Sequence, residues 1–213
     1  MDINGEILVM STIILMLDAL GDAPEAAVKA AETQGYPCYR YKDDPTPPKL
    51  TDPLERIEAI VASRNRSREW ILYQPFDFIA LVDSDVVLPE GAVTRLQSLA
   101  LGHGIAGGWV PVRGADGKRW IAGLTGLQGS FANYLEPSKR LCPTDMTPLA
   151  CCVMSREIFA ELPCRAPGKD DMVKCALTGQ SLIASEPYLY AIDLYQKRGK
   201  KCLMHPDVIC QHL

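Results

Sequence analysis

The sequence predicts an α/β protein, a single domain over 1–213 with a mostly parallel central sheet in three layers that becomes a mixed sheet in the C-terminal half. Three observations predict it. Apolar runs of strand length alternate with capped helical segments three times between residues 6 and 101, the pattern that lays parallel strands side by side through right-handed crossovers. The third run, Phe78-Ile79-Ala80-Leu81-Val82, is apolar without alternation, as suits a strand covered on both faces, and it ends on Asp83-Ser84-Asp85. After Gly102 the texture changes to short apolar stretches separated by glycines, which reads as further strands and turns of less regular direction.

Taken in order, residues 6–15 are apolar and β-branched and form the first predicted strand. Asp22-Ala23-Pro24-Glu25 offers an N-cap, an early proline and a first-turn carboxylate, so a helix follows over 24–34, closed by Gly35. Residues 36–41 are the second strand. The proline-rich segment 42–49 is a surface loop, and Asp52-Pro53-Leu54-Glu55 repeats the capping pattern for a second helix. Its predicted buried stripe is Leu54, Ile57, Ile60 and Val61, with Arg64 and Arg68 one turn apart on what periodicity reads as a solvated basic face. Gln74-Pro75 ends that helix, and Pro89-Glu90 opens a third after the Asp-Ser-Asp stretch. In the second half, strands are predicted over 105–112, 119–124, 148–154 and 202–210. Ser155-Arg156-Glu157 opens a short helix, and Ser185-Glu186-Pro187 opens a longer one, with Leu189, Ile192 and Tyr195 as its buried stripe and Gly199 as its stop.

Composition narrows the function classes. The chain is 47% hydrophobic and 23% charged with a formal charge of −4, which provides no basic stripe for nucleic acid. Its longest apolar stretch, 7–20, is too short for a membrane span, contains Asp18 and lacks a basic leader or small-residue cleavage site, so no transmembrane or signal segment is expected. The eight cysteines include no Cys-x-x-Cys and sit mostly in apolar surroundings, as expected of small core residues in the reducing cytoplasm.

The chemistry is expected at Asp83 and Asp85. Residues i and i+2 of an extended chain point the same way, so two carboxylates at a strand's carboxyl end can face one crevice and share a hard divalent cation with a diphosphate. With 15 Asp in 213 residues, chance supplies about one Asp-x-Asp, so position and not the tripeptide carries the signal. A turn in which either carboxylate merely accepts from loop amides is the alternative.

In their order and spacing, several pieces of this chain resemble the nucleotide-sugar glycosyltransferases of the A-type fold, particularly the family-two-like group. They are Arg64-Asn65 on the helix before the motif, Asp83-Ser84-Asp85, Asp145-Met146-Thr147-Pro148 leading into an apolar strand, Ser185-Glu186 opening a late helix, and the closing His212. The resemblance implies a nucleotide-diphospho-sugar transferase-like fold with a nucleotide-binding half, 1–101, and an acceptor half, 102–213. It implies a hexosyltransferase type of enzyme taking a UDP- or GDP-sugar donor to an unknown acceptor hydroxyl, with Mn2+ or Mg2+ as cofactor. Asp83, Asp85 and His212 would hold the metal, while Arg64, Asn65, Asp83, Ser84 and Asp85 would contact the nucleotide. Trp109 is the candidate for stacking on a sugar, with Trp120 beside it, Arg113 is a candidate for the diphosphate, and Asp145 is a substrate-binding candidate. The family's late helix usually begins with two acids; here Glu186 is followed by Pro187, so Glu186 alone is the candidate base, with Asp145 and the Asp170-Asp171 pair as substitutes. A carboxylate at a helix N-terminus is held ionised by the dipole and so suits that role.

Two other readings stay open on sequence. The missing second acid suits a non-catalytic sugar-nucleotide binding protein. Asp83-Ser84-Asp85, with Lys169-Asp170-Asp171, also looks like the haloacid-dehalogenase-type phosphatases, in which the first aspartate attacks phosphorus; those proteins carry the motif on their first strand, whereas here two β-α units precede it.

Overall fold

The fold is that of a computed structural model, which describes residues 10–18, 21–43, 51–112, 120–121, 123–125, 130–133, 136–168, 171–175 and 181–213. Arg113, Lys169 and Asp170 lie outside the described residues. The first half runs β1 (Thr12–Leu17), α1 (Glu25–Glu32), β2 (Cys38–Tyr41), α2 (Pro53–Ile71), β3 (Phe78–Asp83), β4 (Val86–Val87) and α3 (Ala92–His103). The second runs β5 (Ile105–Trp109), β6 (Gly123–Thr125), β7 (Ser130–Asn133), β8 (Cys142–Thr144), β9 (Cys151–Ser155), α4 (Arg156–Glu161), β10 (Met172–Cys175), β11 (Ser181–Ile183), α5 (Glu186–Arg198), β12 (Cys202–Ile209) and β13 (Gln211–His212).

A seven-stranded sheet in the order β2-β1-β3-β9-β5-β12-β8 forms the centre. Strands β2, β1 and β3 are parallel and β5 and β12 are parallel, while β9 and β8 run against their neighbours, so five of the seven strands share one direction. The expected α/β domain, mostly parallel with a mixed second half, is the one observed. Smaller sheets of four strands (β11-β10-β7-β6) and two strands (β13-β4) accompany it.

Strand alternation divides the core between the two faces. Ile14, Met16, Ala80, Val82 and Val153 pack against Ala31 of α1 and Val93, Leu96 and Ala100 of α3. Leu15, Ile79, Leu81, Cys152 and Met154 pack on the other face against Ile71 of α2, Phe159 of α4 and Tyr190 and Leu194 of α5. These are the three layers. Glycine is required in β5 by close approach: a Cβ on Gly107 would lie 2.4 Å from Pro148 Cγ, and one on Gly108 would lie 2.7 Å from Val208 Cγ1. Cys151, Cys152, Cys202 and Cys210 are buried free thiols, in keeping with their reading as core residues. No helix among the described residues is long and apolar enough to cross a membrane.

Helix signals fare unevenly. Asp52 caps α2 with its carboxylate accepting from Leu54 N and Glu55 N, and Gly199 closes α5 in the left-handed region at φ 62°. Helix α3 starts at Ala92, two residues past the predicted Pro89-Glu90, because Gly91 takes φ 67° first. The predicted stripes of α2 and α5 are wrong in part. Leu54 and Ile60 are exposed, and α2 instead buries Val61, Ser63, Arg64, Ser67 and Ile71. Tyr195 of α5 is exposed, and the buried set shifts to Glu186, Tyr188, Leu189, Tyr190, Ala191 and Leu194. Both helices turn polar residues inward where they meet the carboxyl ends of the strands.

Candidate functional site

The sheet register places the Asp83-Ser84-Asp85 turn at the carboxyl end of β3, where Asp83 lies opposite Leu17 of β1 and Ser84 N donates to Leu17 O at 3.1 Å. Open α/β sheets bind ligands in the crevice beyond these strand ends. The turn feeds into β4, which pairs antiparallel with β13 so that His212 lies opposite Val86, and Leu213 N donates to Asp85 O at 2.9 Å. The far end of the sequence is thereby laid along the motif.

This pairing sets His212 Nε2 3.3 Å from Asp85 Oδ2, with His212 Nδ1 2.8 Å from Pro111 O. A carbonyl only accepts, so the ring carries a proton on Nδ1 and turns Nε2 towards the carboxylate. The hydrogen bond to Asp85 raises the His212 pKa above its ordinary value, against the opposing effect of burial. An imidazole whose Nδ1–H is held by a carbonyl is the usual arrangement of a metal-ligating histidine. Two ligands about 2.1 Å from one octahedral ion stand about 3 Å apart, close to the separation of these two atoms. The donor set therefore fits a divalent cation through Asp85 and His212. No group of three or more His, Cys, Asp or Glu side chains that could hold an ion occurs among the described residues, so the remaining positions would fall to phosphate oxygens and water.

Asp83 does not share that pair. Its Oδ1 accepts from Arg64 Nη2 at 2.7 Å. Arg64, far from lying on a solvated basic face, is buried between two carboxylates: Nε is 2.9 Å from Glu186 Oε1 and Nη1 donates to Leu149 O at 3.4 Å. The Nε–H is not aligned on the Glu186 oxygen, so that contact is an ion pair without a well-formed hydrogen bond. Burial alone would lower the Arg64 pKa; Asp83 and Glu186 more than reverse this and hold it charged.

Glu186 is the first residue of α5, yet its carboxyl is raised above the ordinary range, because burial outweighs the pull of Arg64 and the hydrogen bond from the Cys164 thiol. The helix N-terminus, expected from sequence to hold this carboxylate ionised, is therefore opposed here by burial. The Cys164 thiol is itself pushed well up by burial and by Glu186. Asn65 holds Cys164 in place by both ends of its amide, Nδ2 donating to Cys164 O at 2.8 Å and Oδ1 accepting from Cys164 N at 3.0 Å. Arg68 donates from Nε to Phe159 O at 2.9 Å and also to Ala160 O. Arg64, Asn65 and Arg68 thus tie α2 to β3, α4, the 162–168 segment and α5.

The remaining candidates are dispersed. Trp109 is fully buried on β5, edge-on to Trp120 with ring centroids 6.5 Å apart, and has no exposed face. Asp145 forms an ion pair with Lys201 at 2.5 Å beside the start of β12, whereas His212 follows that strand's end. It lines a groove of about 280 Å³ with Tyr188, Ile192 and Tyr195. Asp171 accepts from Gly168 N at 2.7 Å and pairs with Arg165 at 2.9 Å, which lowers its pKa and commits it to its own loop.

Two carboxylates escaped the sequence reading. Asp18, just past β1, is fully buried, 2.7 Å from Arg40 Nη2, and accepts from Ala23 N. Asp43, just past β2, lies 2.7 Å from Arg66 Nη2. The signal was available at Asp18, since an apolar strand ends on an acid there as β3 does; Asp43 lay in what read as a loop. Together with Asp83 they form a row of three arginine-paired carboxylates at neighbouring strand ends.

No protein family model matches the sequence, and no curated protein matches it. The fold does match solved structures. The crystal structure of A197 from STIV superposes with a TM-score of 0.62 at 10% identity, covering 96% of this chain and 86% of that one. GalNAc-T7 with UDP, GalNAc and Mn2+ gives 0.56 at 11% identity over 97% of this chain and 44% of that one. S. aureus TarS 1-349 gives 0.52 at 12% identity over 95% and 60%. The chain spans less than two thirds of the last two. What is shared at these identities is the fold, that of the A-type glycosyltransferases, and it extends over nearly the whole described chain.

Proposed function

We propose that this chain transfers a sugar from a nucleoside-diphosphate sugar to an acceptor hydroxyl, using a divalent cation held by Asp85 and His212. The observation that carries the reading is the β13–β4 pairing, which brings an imidazole to the second carboxylate of a strand-end Asp-x-Asp. A cation there neutralises the charge that builds on the departing nucleoside diphosphate. A mixed imidazole and carboxylate set suits Mn2+, with Mg2+ the alternative.

The chain's own residues have distinct tasks in this reading. Asp85 and His212 orient the diphosphate end of the donor. Asp83, fixed by Arg64, sets the floor of the crevice, and Arg64 adds a buried positive charge beneath it. The ends of β1 and β2, with Asp18 and Asp43, flank Asp83 on one side, so the nucleoside is assigned to that side and the sugar to the side of β5 and β12. UDP- and GDP-sugars are the expected donors.

The burial of Glu186, with no second acid beside it, favours one competing reading, a protein that binds the sugar nucleotide without transferring it. Both readings require the same metal site. The test is calorimetric titration of UDP and GDP with and without Mn2+: Asp85→Ala is expected to abolish the Mn2+-dependent part of binding, and an unchanged affinity would refute the site. Turnover of a UDP- or GDP-sugar by the wild type then separates enzyme from binder.

A further inference from the structure

We infer that Glu186 is a positioning residue that holds Arg64 against Asp83, and that it does not serve as the base that deprotonates the acceptor. The inference rests on the reading of the crevice as a sugar-nucleotide site and assigns the roles of the groups beneath it.

Exposure separates the two carboxylates that Arg64 bridges: the Asp83 side chain retains 29% of its accessible surface and the Glu186 side chain 7%. Asp83 faces the crevice and Glu186 faces protein. A base must come within hydrogen-bond reach of the hydroxyl it deprotonates. Glu186 is instead buried against Arg64, at 2.9 Å.

The same contacts explain what Glu186 does. A guanidinium presents donors along two edges of a rigid plane. Nη2 meets Asp83, Nη1 meets Leu149 O and Nε lies against Glu186, so each nitrogen of the guanidinium has a neighbour that holds the plane, and loss of Glu186 frees the Nε end. Cys164 is held beside this pair by the two-point Asn65 amide clamp on its backbone, and Glu186 pushes its thiol pKa up. One chain of contacts therefore runs from α2 through the 162–168 segment to the start of α5 and back to α2, closing around Arg64.

Wild type, Glu186→Gln, Glu186→Ala and Cys164→Ser are compared in Mn2+-dependent UDP and GDP binding and in release of nucleotide from UDP- and GDP-sugars in water, and the first three also in the pH profile of iodoacetamide labelling at the Cys164 peptide. A positioning role predicts that Glu186→Ala weakens nucleotide binding by roughly 10–100-fold, as loss of an outer partner does at metal sites. Glu186→Gln, which keeps the side chain's size but not its charge, falls between Glu186→Ala and the wild type, and Cys164→Ser stays close to the wild type. Cys164 labels faster in both Glu186 variants, because the carboxylate that accepts from the thiol and opposes its ionisation is gone. Nucleotide release follows binding in every variant.

The inference is overturned if Glu186→Gln binds nucleotide as the wild type does while release falls by roughly 100-fold or more, the signature of a lost base. It is also overturned if Cys164 labelling ignores residue 186. The labelling needs no ligand: faster labelling in a protein that binds neither UDP nor GDP would uphold the holding of Arg64 and refute only the sugar-nucleotide reading.

Discussion

Replacing Arg64 with methionine keeps an aliphatic stem of similar reach and removes the guanidinium between Asp83 and Glu186. Asp83, with 29% of its side-chain surface accessible, can turn to water; Glu186, at 7%, cannot. The least costly escape is to protonate Glu186. For a carboxyl of ordinary pKa 4.5, that costs about 3.4 kcal/mol at pH 7, at 1.36 kcal/mol for each pH unit. The figure falls within the roughly 3–5 kcal/mol typical of breaking a buried ion pair. The lost hydrogen bond to Leu149 O adds roughly 1 kcal/mol at every pH. The sign follows from the direction of the shift. Burial raises the folded-state pKa of Glu186, so the associated stability is fully present below the unfolded value and is lost as pH rises through the folded one. Arg64 opposes that shift in the wild type and nothing replaces it in the variant, so the variant's deficit grows with pH. Because the wild-type carboxyl is itself raised, part of this cost is already present there, so the deficit should rise from about 1 kcal/mol near pH 4.5 to at most about 3 at pH 6 and about 4.4 at pH 7, read by urea unfolding at each pH. A deficit of the same size at all three values would refute the burial of Glu186 against Arg64.

Two further outcomes are expected. His212→Ala should weaken Mn2+ binding by about tenfold or more in calorimetry while β13 keeps its backbone pairing with β4, since a ligand is lost and not the strand; unchanged Mn2+ affinity would remove His212 from the site. Gly107→Ala should destabilise the fold by about 1–3 kcal/mol in urea unfolding, because the new Cβ meets the Pro148 ring at 2.4 Å, where no flexible side-chain end can yield; a neutral effect would mean that the 145–149 segment adjusts freely.

The sequence was legible where information is local. A strand ending on acids, a proline after an N-cap and a glycine at a helix stop each act within a few residues, and β3, α2 and the end of α5 follow from them. It was illegible where burial depends on a distant partner. Arg64 reads as a surface residue by helical periodicity, since nothing within α2 indicates that Asp83 and Glu186 converge on it. Glu186 reads as an exposed helix start for the same reason. Trp109 reads from sequence as either a sugar-stacking or a core aromatic of a glycine-rich strand, and it is the glycines, by letting Pro148 and Val208 approach, that seal it in the core. The direction of β9 was also hidden, because an apolar run of five residues fits either orientation. His212 lay between these extremes, since only the resemblance, and no local signal, drew it to Asp85.

Strand β9 has a consequence for how the molecule is partitioned. It comes from the second half of the chain, yet it runs antiparallel between β3 and β5 and makes the junction between the two parallel groups. The first half therefore cannot complete its own sheet. Until β9 arrives, Phe78 to Asp83 present a bare apolar edge, the kind of template that recruits other chains. Any division of the chain after α3 therefore cuts through the central sheet. A fragment ending after α3 would keep the Asp-Ser-Asp turn in its sequence but expose an adhesive strand beside it.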